Sequence, residues 1–162
     1  MDQDQFWKII DPLQRNLFGF AIRMLGDRTW AEDAMQEVLE KLWEMRKELS
    51  PARNPKSLAM TMMKNKCIDL MRRNGRYAEE DKAPLRVTET QYEHHDLIDQ
   101  LKARMELLPT QQKLIVELKD FQGFSYEEIA EITDMNINAL RVNLSRARKK
   151  LTDPLRNDWR EN

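Results

Sequence analysis

Residues 125–148 constrain the fold of this chain more than any other stretch. Ser125 and Glu128 stand in Ser-x-x-Glu spacing, so each side chain can satisfy an amide at a helix start. The helical pattern then runs only to about Ile132, too short to persist unless Ile129 and Ile132 are buried against a partner. After Thr133-Asp134-Met135, Asn136 is a suitable N-cap for a second helix. Ile137, Leu140, Leu144, Ala147 and Leu151 fall on one stripe of that helix. Asn138, Arg141, Val142, Ser145, Arg146 and Lys149 fall on the other side. A short capped helix, a tight turn and a second helix with a polar outer face are the parts of a helix-turn-helix that enters a DNA major groove.

An ordinary helical hairpin with a solvated face is the alternative. A merely soluble helix mixes charge signs and pairs them at i,i+4 spacing. Between Arg141 and Lys150 this one has five basic residues and no acidic one. That bias favours a DNA-facing surface.

The rest of the chain reads as helical too. Leu13, Leu17, Phe20, Ala21, Met24 and Leu25 recur at helical spacing over 12–25, with Asp11 as cap, Pro12 as first helical residue and Gly26 at the end. A Thr29-to-Glu32 capping box predicts the next helix, continuing to about Leu49. A helix then runs to about Arg73, ended by Asn74-Gly75, and others cover 97–108 and 111–120. No strand pair or repeat is visible. The predicted fold class is all-α: two small helical domains, 1–77 and 97–162, joined by a flexible acidic linker over 78–96. The second domain carries the helix-turn-helix.

The overall net charge of −1 hides blocks of opposite sign. Residues 1–77 hold 14 basic and 11 acidic residues, residues 78–96 hold two and six, and residues 97–162 hold 11 of each. Because phosphate neutralisation supplies most sequence-independent affinity, the chain alone should bind DNA weakly. No apolar run approaches the roughly 20 residues of a membrane span, and no membrane insertion is expected. The single cysteine, Cys67, excludes an internal disulfide, and the cytoplasm is the expected compartment. No residue pattern supports catalysis, a metal site or a cofactor; His94-His95 lies in the linker with no cysteine nearby.

Two polar helix faces remain. Ala31, Ala34, Met35, Val38, Leu39 and Leu42 form a buried stripe, which leaves Asp33, Gln36, Glu37, Glu40 and Lys41 outside. Periodicity reads that face as solvated; an acidic, amide-bearing face also suits a basic partner helix. On 57–73, Ala59, Met63, Cys67, Leu70 and Met71 line one side, with Thr61, Asn65, Lys66, Asp69, Arg72 and Arg73 on the other and Leu58 and Met62 at its start. Apolar side chains beside amides and cations suit single-stranded DNA or a protein contact, and the spacing does not choose.

Three of these blocks, in this order, resemble the sigma-70 family. Thr29-Trp30-Ala31-Glu32-Asp33-Ala34-Met35-Gln36-Glu37-Val38 with Lys41-Leu42-Trp43 resembles its core-binding helix. Asn65-Lys66-Cys67-Ile68-Asp69-Leu70-Met71-Arg72-Arg73 is similar to its −10-element helix. Leu108-Pro109, Tyr126-Glu127-Glu128-Ile129-Ala130-Glu131 and Ser145-Arg146-Ala147-Arg148-Lys149-Lys150-Leu151 look like its −35-reading domain. Order and length match the two-domain, extracytoplasmic-function (ECF) group, and the resemblance covers nearly the whole chain.

The resemblance implies a transcription initiation factor without catalytic activity, whose partners are core RNA polymerase, promoter DNA and, where the cell uses one, an anti-sigma factor. It implies that Asp33, Gln36, Glu37 and Glu40 contact the polymerase clamp helices. It implies that Arg53, Asn54, Lys56, Ser57, Asn65, Lys66, Asp69, Arg72 and Arg73 serve the −10 element, with an extruded base held by the 50–56 loop. It implies that Asn136, Asn138, Arg141, Val142, Ser145, Arg146 and Lys149 read the −35 element. Asp134 stands where the family turn usually has Gly, Asn138-Ala139 replaces a common Gly-Thr, and Leu58 replaces a usual aromatic. The competing class is a stand-alone dimeric helix-turn-helix regulator, which needs no acidic docking face, and a protein-only adaptor would leave the basic helix unused.

Overall fold

A computed structural model describes residues 1–50, 54–80 and 97–160, with side chains described as far as Thr152. Every regular element among the described residues is helical. The chain divides into two compact units, Met1–Tyr77 with Ala130–Asp134, and Ala78–Ile129 with Met135–Asn162.

The first unit is built on α1 (Gln3–Leu25), α2 (Arg28–Glu44) and α3 (Pro55–Arg73), which pack pairwise against one another. Their shared core holds Phe6, Ile10, Leu17, Phe20, Met24, Ala34, Val38, Leu42, Met60, Met63 and Cys67, all almost fully buried. The small residues Ala31, Ala34 and Ala59 are buried alongside, where larger side chains would hold the helices apart.

Two predicted helix starts are corrected. The first helix begins nine residues earlier than Pro12, at Gln3, capped by an Asp2–Gln5 box in which Asp2 Oδ1 accepts from the Gln5 amide at 2.8 Å. Pro12 lies inside it. Phe6 and Ile10 continue the buried stripe of Leu17 and Met24, and burying two large side chains is worth roughly 1.5–3 kcal/mol each, which offsets the ~3 kcal/mol cost of an internal proline. At α2, Asp27 is the cap in place of Thr29, accepting from the Trp30 amide at 3.0 Å. Glu32 instead pairs with Arg28 one turn back at 3.1 Å. That helix also ends at Glu44; a 3-10 turn over Arg46–Glu48 comes next, and Leu49 is buried.

The remaining helices are α4 (Leu97–Leu107), α5 (Thr110–Val116), α6 (Tyr126–Thr133) and α7 (Ile137–Arg160); all belong to the second unit except the last residues of α6, from Ala130 on. The helix predicted over 111–120 departs from α geometry: Glu117–Phe121 form a π turn. Both α4 and α5 pack on α7, and the core gathers Met105, Leu108, Ile115, Leu118, Phe124, Ile129, Leu140, Leu144 and Ala147. The capping box at α6 is as the spacing predicts: the Glu128 amide donates to Ser125 Oγ at 3.1 Å, and Glu128 accepts from the Ser125 amide at 3.0 Å. Ser125→Ala should therefore cost about 1 kcal/mol of stability, measured as a lowered urea midpoint at constant slope.

No helix among the described residues is long and apolar enough to cross a membrane. Most of the acidic stretch, residues 81–96, lies outside the described residues, as does Arg53.

Candidate nucleic-acid interface

Three surfaces collect the predicted residues. On α2, Asp33, Gln36, Glu37 and Glu40 are exposed, while Ala34, Val38 and Leu42 on the opposite side are buried. The face is polar for the reason periodicity gave, but Glu37 is not simply solvated. Its carboxylate accepts from Lys66 Nζ on α3 at 2.5 Å, and the Lys66 side chain keeps only 15% of its exposure. That hydrogen bond, foremost, holds the Glu37 carboxyl below its usual range. The pair therefore contributes above the ordinary glutamate range and is lost as pH falls through the depressed folded value. In an acid titration followed by carboxyl NMR, Glu37 should titrate below the ordinary glutamate range, and Lys66→Met should move it back toward that range.

The Glu37–Lys66 pair borders a cleft of about 500 Å³ between α2 and α3, lined also by Asn65, Asp69 and Arg73. Asp69 and Arg73 pair one turn apart at 2.9 Å, and the Arg72 guanidinium stands 4.6 Å from the Tyr77 ring centre. The structure thus gathers Asn65, Lys66, Asp69 and Arg73 in one place, with Glu37 among them. At the start of α3 the assignments change. Asn54, at φ 50°, caps the helix by accepting from the Ser57 amide at 3.3 Å. Ser57 is buried, with its Oγ lacking a hydrogen-bond partner among the described residues, so it is not a surface contact as it stands. Lys56 is half-buried. Cys67 is fully buried, and burial pushes its thiol up to about 12, as befits a small core residue.

The third surface is the helix-turn-helix. Asp134 takes the left-handed conformation, φ 58°, that the turn requires and that Asp tolerates better than most residues. Asn136 caps α7, accepting from the Ala139 amide at 2.7 Å. Leu140, Leu144, Ala147 and Leu151 are buried; Asn136, Asn138, Arg141, Val142, Ser145, Arg146 and Lys149 are all exposed. Val142 keeps 48% exposure, enough to offer an apolar contact on an otherwise polar face.

The five cations of α7 from Arg141 to Lys150 do not share one role. Arg148 makes a two-pronged contact with Asp120, which raises its pKa further, and Lys150 donates to Gln112 at 3.0 Å. Arg141, Arg146 and Lys149 keep the outward face. Tyr126 has a part that the sequence pattern does not reveal: the Lys119 ammonium and the Arg141 guanidinium stand 4.5 Å and 5.1 Å from its ring centre. Linear spacing offers no sign of this, because the three residues come from three separate elements.

Comparison with known proteins agrees with this geometry. Residues 9–77 match the family model for sigma-70 region 2, and residues 98–151 match that for sigma-70 region 4. A three-helix unit followed by a helix-turn-helix unit, each matching its region, defines a sigma factor; the chain belongs to the sigma-70 family. Within that family it is a member of the ECF group. The ECF sigma factor SigE of Mycolicibacterium smegmatis is 28% identical over 147 residues, covering 86% of this chain and 57% of that protein. The chain thus spans little more than half of that relative's length. EcfG of Rhodopseudomonas palustris is 27% identical, covering 85% of this chain and 77% of its own. Among solved structures, the sigma factor RpoE of Bartonella quintana, crystallised with the anti-sigma factor NepR, superposes with a TM-score of 0.75 at 26% identity, over 94% of this chain and 97% of that one.

Proposed function

We propose that this chain delivers core RNA polymerase to promoters and helps open them. Its α2 face (Asp33, Gln36, Glu37, Glu40) docks on the polymerase clamp helices. The α3 surface (Asn65, Lys66, Asp69, Arg72, Arg73), with Arg53, Asn54 and Lys56 ahead of it, engages the −10 element as strands separate. The outer face of α7 reads the −35 element in duplex form. The observation that carries this reading is the division of α7 and its cap, where four apolar residues are buried and eight polar, basic or small residues from Asn136 to Lys149 are exposed without a carboxylate among them. The chain supplies the address, and polymerase performs the phosphoryl transfer. An anti-sigma factor, such as the one bound to the Bartonella relative, is a further partner to expect.

The purified chain should co-elute with core polymerase on size exclusion and should bind promoter DNA far more tightly in that complex than alone. Tight, sequence-specific duplex binding by the isolated chain, with no polymerase association, would support a dimeric regulator instead.

A further inference from the structure

The Lys119–Tyr126–Arg141 cluster is not accounted for by the surfaces above. The π turn over Glu117–Phe121 inserts one extra residue per turn into the end of α5, rotating the chain beyond it relative to a regular helix. Two consecutive side chains from it engage the helix-turn-helix. Lys119 Nζ donates to the Phe124 carbonyl at 3.2 Å and stands over the Tyr126 ring, while Asp120 holds Arg148. Tyr126 opens α6 and is half-buried. Arg141, in the first turns of α7, extends over the same ring.

Binding must remove the rotamer freedom of an exposed arginine. A cation held over an aromatic face loses part of that freedom beforehand, through its attraction to the ring. Resting on the −35 reading above, we propose that Tyr126 is a positioning residue: its ring pre-orients the Arg141 guanidinium for base recognition, and the π turn buttresses the ring through Lys119.

The test uses the full-length chain in two measurements. In the free protein, NMR of the Arg141 Nε–Hε group should show a ring-shifted, ordered signal. Tyr126→Leu should remove the shift and raise the mobility, whereas Tyr126→Phe retains both. With core polymerase, on promoters varied one base at a time across the −35 element, Tyr126→Leu should lower discrimination at the position that Arg141→Ala relaxes, by roughly two- to fivefold. It should add nothing in the Arg141→Ala background, and Tyr126→Phe should behave as wild type. Should Tyr126→Leu fail to fold, Tyr126→Trp tests the same point in the opposite direction, with an ordered Arg141 signal and discrimination at least equal to wild type.

The proposal is overturned if Tyr126→Leu leaves the Arg141 signal and base preference unchanged. It is also overturned if that substitution lowers discrimination further in the Arg141→Ala background, since Tyr126 would then touch DNA itself. If Arg141→Ala fails to relax any position, the −35 assignment of Arg141 falls and takes this proposal with it. If Arg141→Ala relaxes a position and Tyr126→Leu does not, the proposal alone falls.

Discussion

Replacing Gln36 and Glu37 together by alanine is expected to weaken association with core RNA polymerase by about tenfold or more, with helicity unchanged. Truncation of a central interface side chain commonly costs more than 1 kcal/mol, and each 1.4 kcal/mol is tenfold in affinity. Both side chains point away from the core formed by Ala34, Val38 and Leu42, so the change should not disturb packing. The Glu37–Lys66 pair adds a control that the helix face alone would not suggest. Lys66→Met removes the partner and leaves the carboxylate. If docking depends on Glu37 itself, Lys66→Met should keep polymerase affinity; if it depends on the pair, both variants should lose it. Isothermal titration against core enzyme separates these cases, and wild-type affinity in the double alanine variant would remove the docking assignment.

The Glu37–Lys66 pair also shows where sequence reading stops. Periodicity identifies which side of one helix is polar, as it does for α2 and α7, where Asp33, Gln36, Glu40, Arg141 and Arg146 are exposed. It carries no information on which polar residue of one helix faces which of another, so Lys66, nominally on an outer face, lies against Glu37. The Lys119–Tyr126–Arg141 cluster is hidden for the same reason, and additionally because the π turn breaks the 3.6-residue register. Caps are legible at Ser125 and Asn136, where the side-chain bonds follow the predicted spacing. They are misread at α1 and α2. Asp27 lies two residues ahead of Thr29 and takes the cap, and Asp2 displaces Asp11 because Phe6 and Ile10 extend the buried stripe upstream. The all-helical fold class is legible because every apolar stripe has one period.

Arg141→Ala is expected to relax selectivity at one −35 position by about 1–3 kcal/mol, the worth of a bidentate arginine–guanine contact. Arg146→Ala should instead weaken binding to all sequences by similar amounts and lower the salt dependence by about one phosphate contact. The two residues share the exposed side of α7, but Arg141 lies in the first turns after the Asn136 cap, the end of a recognition helix that meets base edges. Arg146 is more than a turn further on, so on the proposed −35 reading it would face the phosphate backbone. Promoter variants transcribed by polymerase carrying each mutant separate the roles: one altered base preference for Arg141, a uniform loss for Arg146. The reverse pattern would exchange the two assignments, and no change in either mutant would mean that α7 is not the reader.

Promoter selection by this chain is tested most directly by transcription from fragmented genomic DNA with core polymerase, with and without the chain, and mapping of the RNA 5′ ends. A small set of start sites should appear only with the chain, preceded by two shared sequence elements about 10 and 35 base pairs upstream, and should be lost with Gln36→Ala/Glu37→Ala. Start sites that do not depend on the chain, or that lack any shared upstream element, would contradict a role in promoter selection.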